Sequence, residues 1–268
     1  MSPLHARHLG LALVSYCMLA PLSAGAWDLT EVKARGTLRV LVMLDTKRPE
    51  FYSTKAGVAP GFDSEVLDLF GRFHKLKIET VTVGSWDALI PALNDKKGDL
   101  VAGRFTATDS RKKLVDFTNE VFPTRIVSLN RKPRKLIETL DQLKAEKVGV
   151  IKGTSMAEAV AGMGFANVDD SIPAGGYAEA LRSGRITAAV WGIESAMALQ
   201  REDPEIQLGP FLGQHASLAY AVRKSDGELL KALNDYIDNL RKSQTWNRLV
   251  VKYFGDAAPE ILKKARVE

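Results

Sequence analysis

Three consecutive stretches decide the fold: TLRVLVML at residues 37–44, GFDSEVLDLFGRFHK at 61–75 and KIETVTV at 77–83. The first is a nearly unbroken apolar run, as a strand covered on both faces requires. The second places Phe62, Val66, Leu69, Phe70 and Phe73 on one helical face. Asp63 and Glu65 near its start and His74 and Lys75 near its end complement the helix dipole. The third returns to strand composition. A strand–helix–strand series of this kind points to an α/β architecture with helices covering the sheet.

Outward from this unit the alternation continues. Ser85 is placed to cap a helix that turns Trp86, Leu89, Ile90 and Leu93 inward, with Pro91 tolerated near its first turn. Strands are expected over 99–103 and 125–130. The series then breaks at RKPR, residues 131–134, and restarts with KVGVI at 147–151. Helices over 154–161 and 177–183, a strand over 186–190, a helix over 193–201, a last strand over 217–222 and a helix from Asp226 follow. Two such lobes joined by short crossings set a ligand cleft between the carboxyl ends of their strands.

Composition limits what the cleft can serve. At 268 residues, 46% hydrophobic and 26% charged, the chain has the make-up of a soluble globular protein and not of a disordered or polytopic membrane one. Its 37 basic and 32 acidic residues interleave, and the net charge of +5 forms no basic tract of the kind that nucleic acid needs. Residues 1–26 read as a signal peptide: a basic start, an apolar run over 9–20 too short to span a bilayer, and Ala24 and Ala26 at small-x-small spacing. Removing it removes Cys17, the single cysteine, and a cysteine-free exported chain suits the bacterial periplasm. Beyond that segment the histidines are His74 and His215, too far apart in sequence for a local metal motif, and no P-loop or Ser/His/Asp signature is present. No cofactor or metal is implied, and no catalytic residue.

Read in order, GTLRVLV (36–42), GFDSEVLDLF (61–70), WDALIPALNDKKGDLVAG (86–103), TATDSRKKLVDFT (106–118), VGVIKGTS (148–155), YAVRKSD (220–226) and WNRLVVKYFG (246–255) resemble a known family. It is that of the periplasmic type II solute-binding proteins, family 3, the amino-acid-type binding proteins of ABC importers. The resemblance implies a two-lobed binding-protein fold, with lobe 1 at 27–129 plus 219–268 and lobe 2 at 130–218. It further implies a monomer that closes on a small carboxylate ligand by a hinge near residues 127–130 and 218–222 and then docks on an inner-membrane permease.

The resemblance also assigns a site. Arg111 and Thr106 fall where the family holds the ligand carboxylate, a role that suits a planar guanidinium fork. Thr154 and Ser155, at a strand-to-helix turn, form the matching anion site on lobe 2. Phe51, Tyr52 and Trp86 are candidate cleft rings. Two positions depart from the pattern. Arg104 stands where a small residue is usual, and Thr187 and Gly192 stand where two acids belong, the second of which accepts the ligand ammonium. Glu194, two residues on, is a candidate replacement. The added cation and the missing acid favour a dicarboxylate or oxo acid over an ordinary zwitterion. Two other functions share the fold: a periplasmic cyclohexadienyl-dehydratase-like enzyme, with Glu194 as the acid that protonates a leaving hydroxyl, and a free-standing sensory binding domain.

Overall fold

A computed structural model describes residues 28–44 and 49–266. The expected signal peptide lies outside the described residues. The strands in chain order are β1 (Thr37–Val42), β2 (Lys77–Thr82), β3 (Leu100–Val101), β4 (Asp116–Phe117), β5 (Phe122–Arg131), β6 (Val148–Gly149), β7 (Val168–Asp169), β8 (Ala188–Gly192), β9 (Ile206–Leu218) and β10 (Ala221–Val222). They form two five-stranded mixed sheets, ordered β2-β1-β3-β10-β4 and β7-β6-β8-β5-β9. In the first, β1 runs parallel to β2 and β3, and β10 antiparallel to β3 and β4. In the second, β6 runs parallel to β7 and β8, and β5 antiparallel to β8 and β9. Helices flank both, so the two-lobed α/β architecture expected from the strand–helix alternation is the one found.

The decisive unit folds as its pattern dictates. Leu38, Val40, Leu41 and Val42 of β1 are buried, and helix Phe62–His74 buries Phe62, Val66, Leu67 and Phe70 against them. Phe73 differs from expectation and is 76% exposed. The segment after Ser85 also differs. It begins as a 3-10 turn, Trp86–Ala88, without a side-chain cap from Ser85, and becomes α-helical only over Leu89–Asn94. Pro91, lacking an N–H, thus sits in a first turn where no intrahelical bond is lost.

The lobe boundaries move. β5 pairs along its whole length within the second sheet, so the first crossing precedes Phe122 instead of following residue 129. The strand expected over 217–222 is two strands in different sheets: β9 ends at Leu218 and β10 begins at Ala221. The crossings are therefore residues 118–121 and 219–220, and the hinge expected at 127–130 lies inside a sheet. They run side by side, with the Thr118 N–H donating to Tyr220 O at 2.9 Å and the Tyr220 N–H to Thr118 Oγ1 at 3.0 Å. The carboxyl end does not stay in lobe 1 either. Helix Gln244–Phe254 packs on helix Phe62–His74, whereas helix Ala258–Arg266 packs on β5 and on helix Ile193–Glu202 of the second lobe.

Candidate functional site

A cavity of about 230 Å³ lies between the lobes. Trp86, Arg104, Thr106 and Arg111 line it from the first lobe, and Thr154, Ser155, Gly192 and Glu194 from the second. Eight of the ten residues that the sequence singled out are thus brought together. Phe51 and Tyr52 are not, and this corrects the expectation of a cleft ring after the first strand. Phe51 is 3% exposed and packs edge-on or tilted against Phe62, Phe122 and Phe254, with ring centroids 5.3–6.1 Å away. Tyr52 is buried, and its hydroxyl lies 3.0 Å from Thr80 Oγ1. Apolar area gains more from a core of rings than from a wet crevice.

Arg111 is held by its surroundings on three sides. Its Nη1 donates to Thr106 O at 2.9 Å and its Nη2 crosses the cleft to Gly153 O at 3.0 Å. The guanidinium carbon stands 4.1 Å from the centre of the Phe105 ring, a cation–π contact that fixes the plane of the fork. Burial pulls the guanidinium down to about 10, against Glu158 and Asp87, which pull it up. It remains charged at neutral pH. Facing it, helix Ser155–Gly162 begins with Thr154 as N-cap. The Thr154 hydroxyl donates to Ile151 O at 2.6 Å and accepts from the Ala157 N–H at 3.3 Å, so its role here is capping. Ser155 Oγ donates across the cleft to Thr106 Oγ1 at 3.0 Å. A guanidinium on one side and a helix N-terminus on the other make an electrostatic trap for an anion.

Arg104 occupies a left-handed conformation, φ 68°, next to Gly103 at φ 85°. For a side chain other than glycine this is an uncommon backbone that needs bracing. Asp63, buried near the start of helix Phe62–His74, supplies the brace. Its Oδ2 accepts from the Gly103 and Arg104 N–H groups at 3.1 and 3.0 Å, and its Oδ1 accepts from the Tyr220 hydroxyl at 3.1 Å. Burial raises Asp63 to about 6, and those hydrogen bonds oppose the rise. So braced, Arg104 reaches into the other lobe, donating from Nη1 to Ser195 Oγ at 2.7 Å and standing 5.8 Å from the centre of the Trp191 ring.

The missing acid at Gly192 and the candidate replacement at Glu194 turn out to be one feature. A Cβ on Gly192 would lie 2.8 Å from the Glu194 carboxyl carbon. Lacking one, Gly192 leaves room for the Glu194 side chain to fold back over the strand end. Glu194 is 4% exposed, lines the cavity and accepts from the Thr124 hydroxyl at 2.7 Å. Burial raises its pKa, while Thr124 and Arg104 oppose that. The acid at 194 therefore faces the cleft and not solvent.

Residues that the sequence did not offer complete the wall: Thr124 and Ile126 of β5, Met156, Trp191, and Leu212 and Leu218 of β9. Trp191 packs edge-on against Tyr177, ring centroids 4.9 Å apart. The one available signal was an apolar residue at every second position facing a strand end. For β9 that signal was broken by Gly209, Pro210 and Gly213.

Two lobes meeting at a half-buried guanidinium, with a helix N-terminus opposite, have the architecture of a two-lobed binding protein. The chain belongs to the bacterial extracellular solute-binding proteins, family 3, which it matches over residues 38–256. It is 31% identical over 264 residues to the L-cystine-binding protein TcyJ of Escherichia coli (strain K12), covering 92% of this chain and 97% of that one. Among solved structures it is similar to a mutant of ArgBP from T. maritima, with TM-score 0.77 and 28% identity over 85% of this chain and 99% of that one. It is also similar to AncCDT-1, an ancestral amino acid-binding protein described as a precursor of cyclohexadienyl dehydratase, with TM-score 0.75 and 29% identity over 84% and 98% of the two chains.

Proposed function

We propose that this chain is the periplasmic solute-binding component of an ABC importer and that it captures a small carboxylate-bearing metabolite by closing its lobes. The observation that carries this reading is the Arg111 guanidinium, seated on Phe105 and bonded across the seam to Gly153 O. A carboxylate between this fork and the amino end of helix Ser155–Gly162 would bind both lobes at once, so binding and closure favour each other. The permease then reads the closed form. Calorimetric titration against a panel of amino acids and organic acids tests the reading. Arg111→Ala is expected to weaken the bound acid at least 100-fold while the protein stays folded. Unchanged affinity in that variant refutes the carboxylate role.

One observation favours a second reading, an enzyme. Glu194 is a buried acid in the cavity whose pKa burial raises, the direction that suits a group able to protonate a leaving hydroxyl. Spectroscopic assay with prephenate and arogenate separates the two: turnover abolished in Glu194→Gln supports the enzyme, and no turnover supports a binding protein.

A further inference from the structure

We propose that the ligand's body is uncharged and apolar, so that this site selects branched-chain or aromatic acids over acids with a charged or strongly polar side chain. The inference rests on the carboxylate reading above and concerns what lies beyond the carboxylate.

Beside Thr124, Glu158 and Gln214, the second-lobe lining of the cavity holds an aliphatic group: Ile126, Ile151, Met156, Leu212 and Leu218. None of these carries an oxygen or nitrogen in its side chain. Leu212 is 1% exposed and belongs to the core of that lobe, and Ile126 and Met156 pack against the same core while remaining partly open. The wall is thus the uncovered edge of a hydrophobic core, held by β5 and β9 and not by a mobile loop. Indole rings close it further, with Trp86 from the first lobe and Trp191 from the second.

The charged groups lining the cavity are Arg104, Arg111, Glu158 and Glu194, and three of them bond within the protein. Arg111 bonds to Thr106 O and Gly153 O, Arg104 to Ser195, and Glu194 to Thr124. Glu158, the remaining acid of the lining, is exposed and acts on Arg111. A ligand side chain ending in a guanidinium, an ammonium or a second carboxylate and seated against these aliphatic side chains would leave its hydration for groups that offer no partner, a loss that burial in hydrocarbon does not offset. A branched or aromatic side chain would remove both its own surface and that of the wall from water.

Two ligand series measured on the whole exported protein by calorimetry test this: alanine, valine, leucine and phenylalanine, and the four corresponding 2-oxo acids, each set against arginine, glutamate and cystine. Within the series that binds, affinity is expected to rise about fourfold for each added methylene, the worth of burying one. Arginine, glutamate and cystine are expected to bind at least tenfold more weakly than leucine or phenylalanine. Met156→Gln, at a partly open helical position that glutamine tolerates, is expected to weaken leucine or phenylalanine binding about tenfold more than it weakens alanine binding. Tighter binding of arginine, glutamate or cystine than of leucine and phenylalanine overturns the inference. If that binding still depends on Arg111, the carboxylate reading survives; if neither series nor the three reference acids bind, both fall.

Discussion

Gly153 offers the sharpest test of lobe closure, because an added methyl group there meets the opposite lobe. Its φ of 77° is left-handed, and a Cβ built on it would stand 2.9 Å from Asp87 N and closer still to the Asp87 carboxylate. Gly153→Ala therefore carries two separable penalties. The left-handed backbone costs about 1 kcal/mol in the open and closed forms alike and so lowers stability. The clash exists only when the lobes are shut. The Asp87 side chain can swing away, but its backbone nitrogen cannot, and relief needs a withdrawal of about 0.5 Å toward ordinary contact. The same seam carries the bond from Arg111 Nη2 to Gly153 O and the bond from Ser155 to Thr106, each 3.0 Å. Stretching both beyond hydrogen-bond range forfeits roughly 2–4 kcal/mol, or about 30- to 1000-fold in affinity for whichever acid the wild type binds. Gly164→Ala is the matched control. Its φ of 72° is the same backbone, and nothing lies within 4 Å of the added carbon. Both variants are expected to lose about 2–4 °C in Tm, while calorimetry finds weakened binding in Gly153→Ala alone. Equal affinities in the two variants would refute the idea that the observed seam is the closed, ligand-holding state.

The remaining predictions concern the acids. Glu194→Gln is expected to weaken an amine-bearing acid about tenfold or more and to leave its deaminated analogue unchanged, which calorimetry on the pair decides. Equal weakening of both would assign Glu194 a packing role only. Asp63, raised by burial to about 6 from 3.8, binds a proton more readily folded than unfolded. It therefore penalises folding above pH 6, and the penalty lifts as pH falls from 6 toward 4. Asp63→Asn keeps an oxygen for the two N–H groups and drops the charge. It is expected to gain up to about 3 kcal/mol at pH 7 and to lose that part of the pH slope in denaturation curves from pH 4 to 7. Asp63→Ala leaves the Gly103 and Arg104 N–H groups without their acceptor and is expected to lose about 2 kcal/mol and to weaken ligand binding.

How much of this the chain announces beforehand varies for physical reasons. Periodicity reports the angle of a side chain about its helix axis, and so Phe62, Val66 and Phe70 were legible as core. It does not report whether a neighbour extends far enough along that axis. Phe73, at nearly the same angle as Phe62 but a residue from the helix end, is exposed. Strand β9 was hidden because two glycines and a proline interrupt it and because pairing with β5 includes register shifts that disrupt a clean alternation. Within the site, Arg111, Thr106 and Ser155 line the cavity at the positions that the family resemblance implied. The inward placement of Glu194 was not settled by the sequence, because it depends on an absent Cβ two residues earlier and on Thr124, seventy residues away in sequence. Helix Ala258–Arg266 crossing to the second lobe is of the same kind: an amphipathic pattern names a buried face, and many partners satisfy it.

The segment between β3 and residue 108 would couple ligand contact to hinge motion if the chain closes as proposed. Arg104 and Thr106 line the cavity, yet the backbone between and beside them is stitched to the second crossing. The Ala219 N–H donates to Phe105 O at 3.0 Å, the Ala107 N–H to Ser217 O at 2.9 Å, and Thr106 forms a bridge with Leu218. Asp63 ties Gly103 and Arg104 to the Tyr220 hydroxyl. Rotation about residues 118–121 and 219–220 must therefore carry the ligand-facing segment with it, and an anion that fixes Arg111 and Arg104 restricts that rotation directly. Coupling over such a distance needs no relay through the lobes. The same two crossings are bonded to one another through Thr118 and Tyr220, so they move as a pair. Such a pairing suits a hinge better than a slide, the motion that the proposed clamshell closure requires to bury its ligand on both sides.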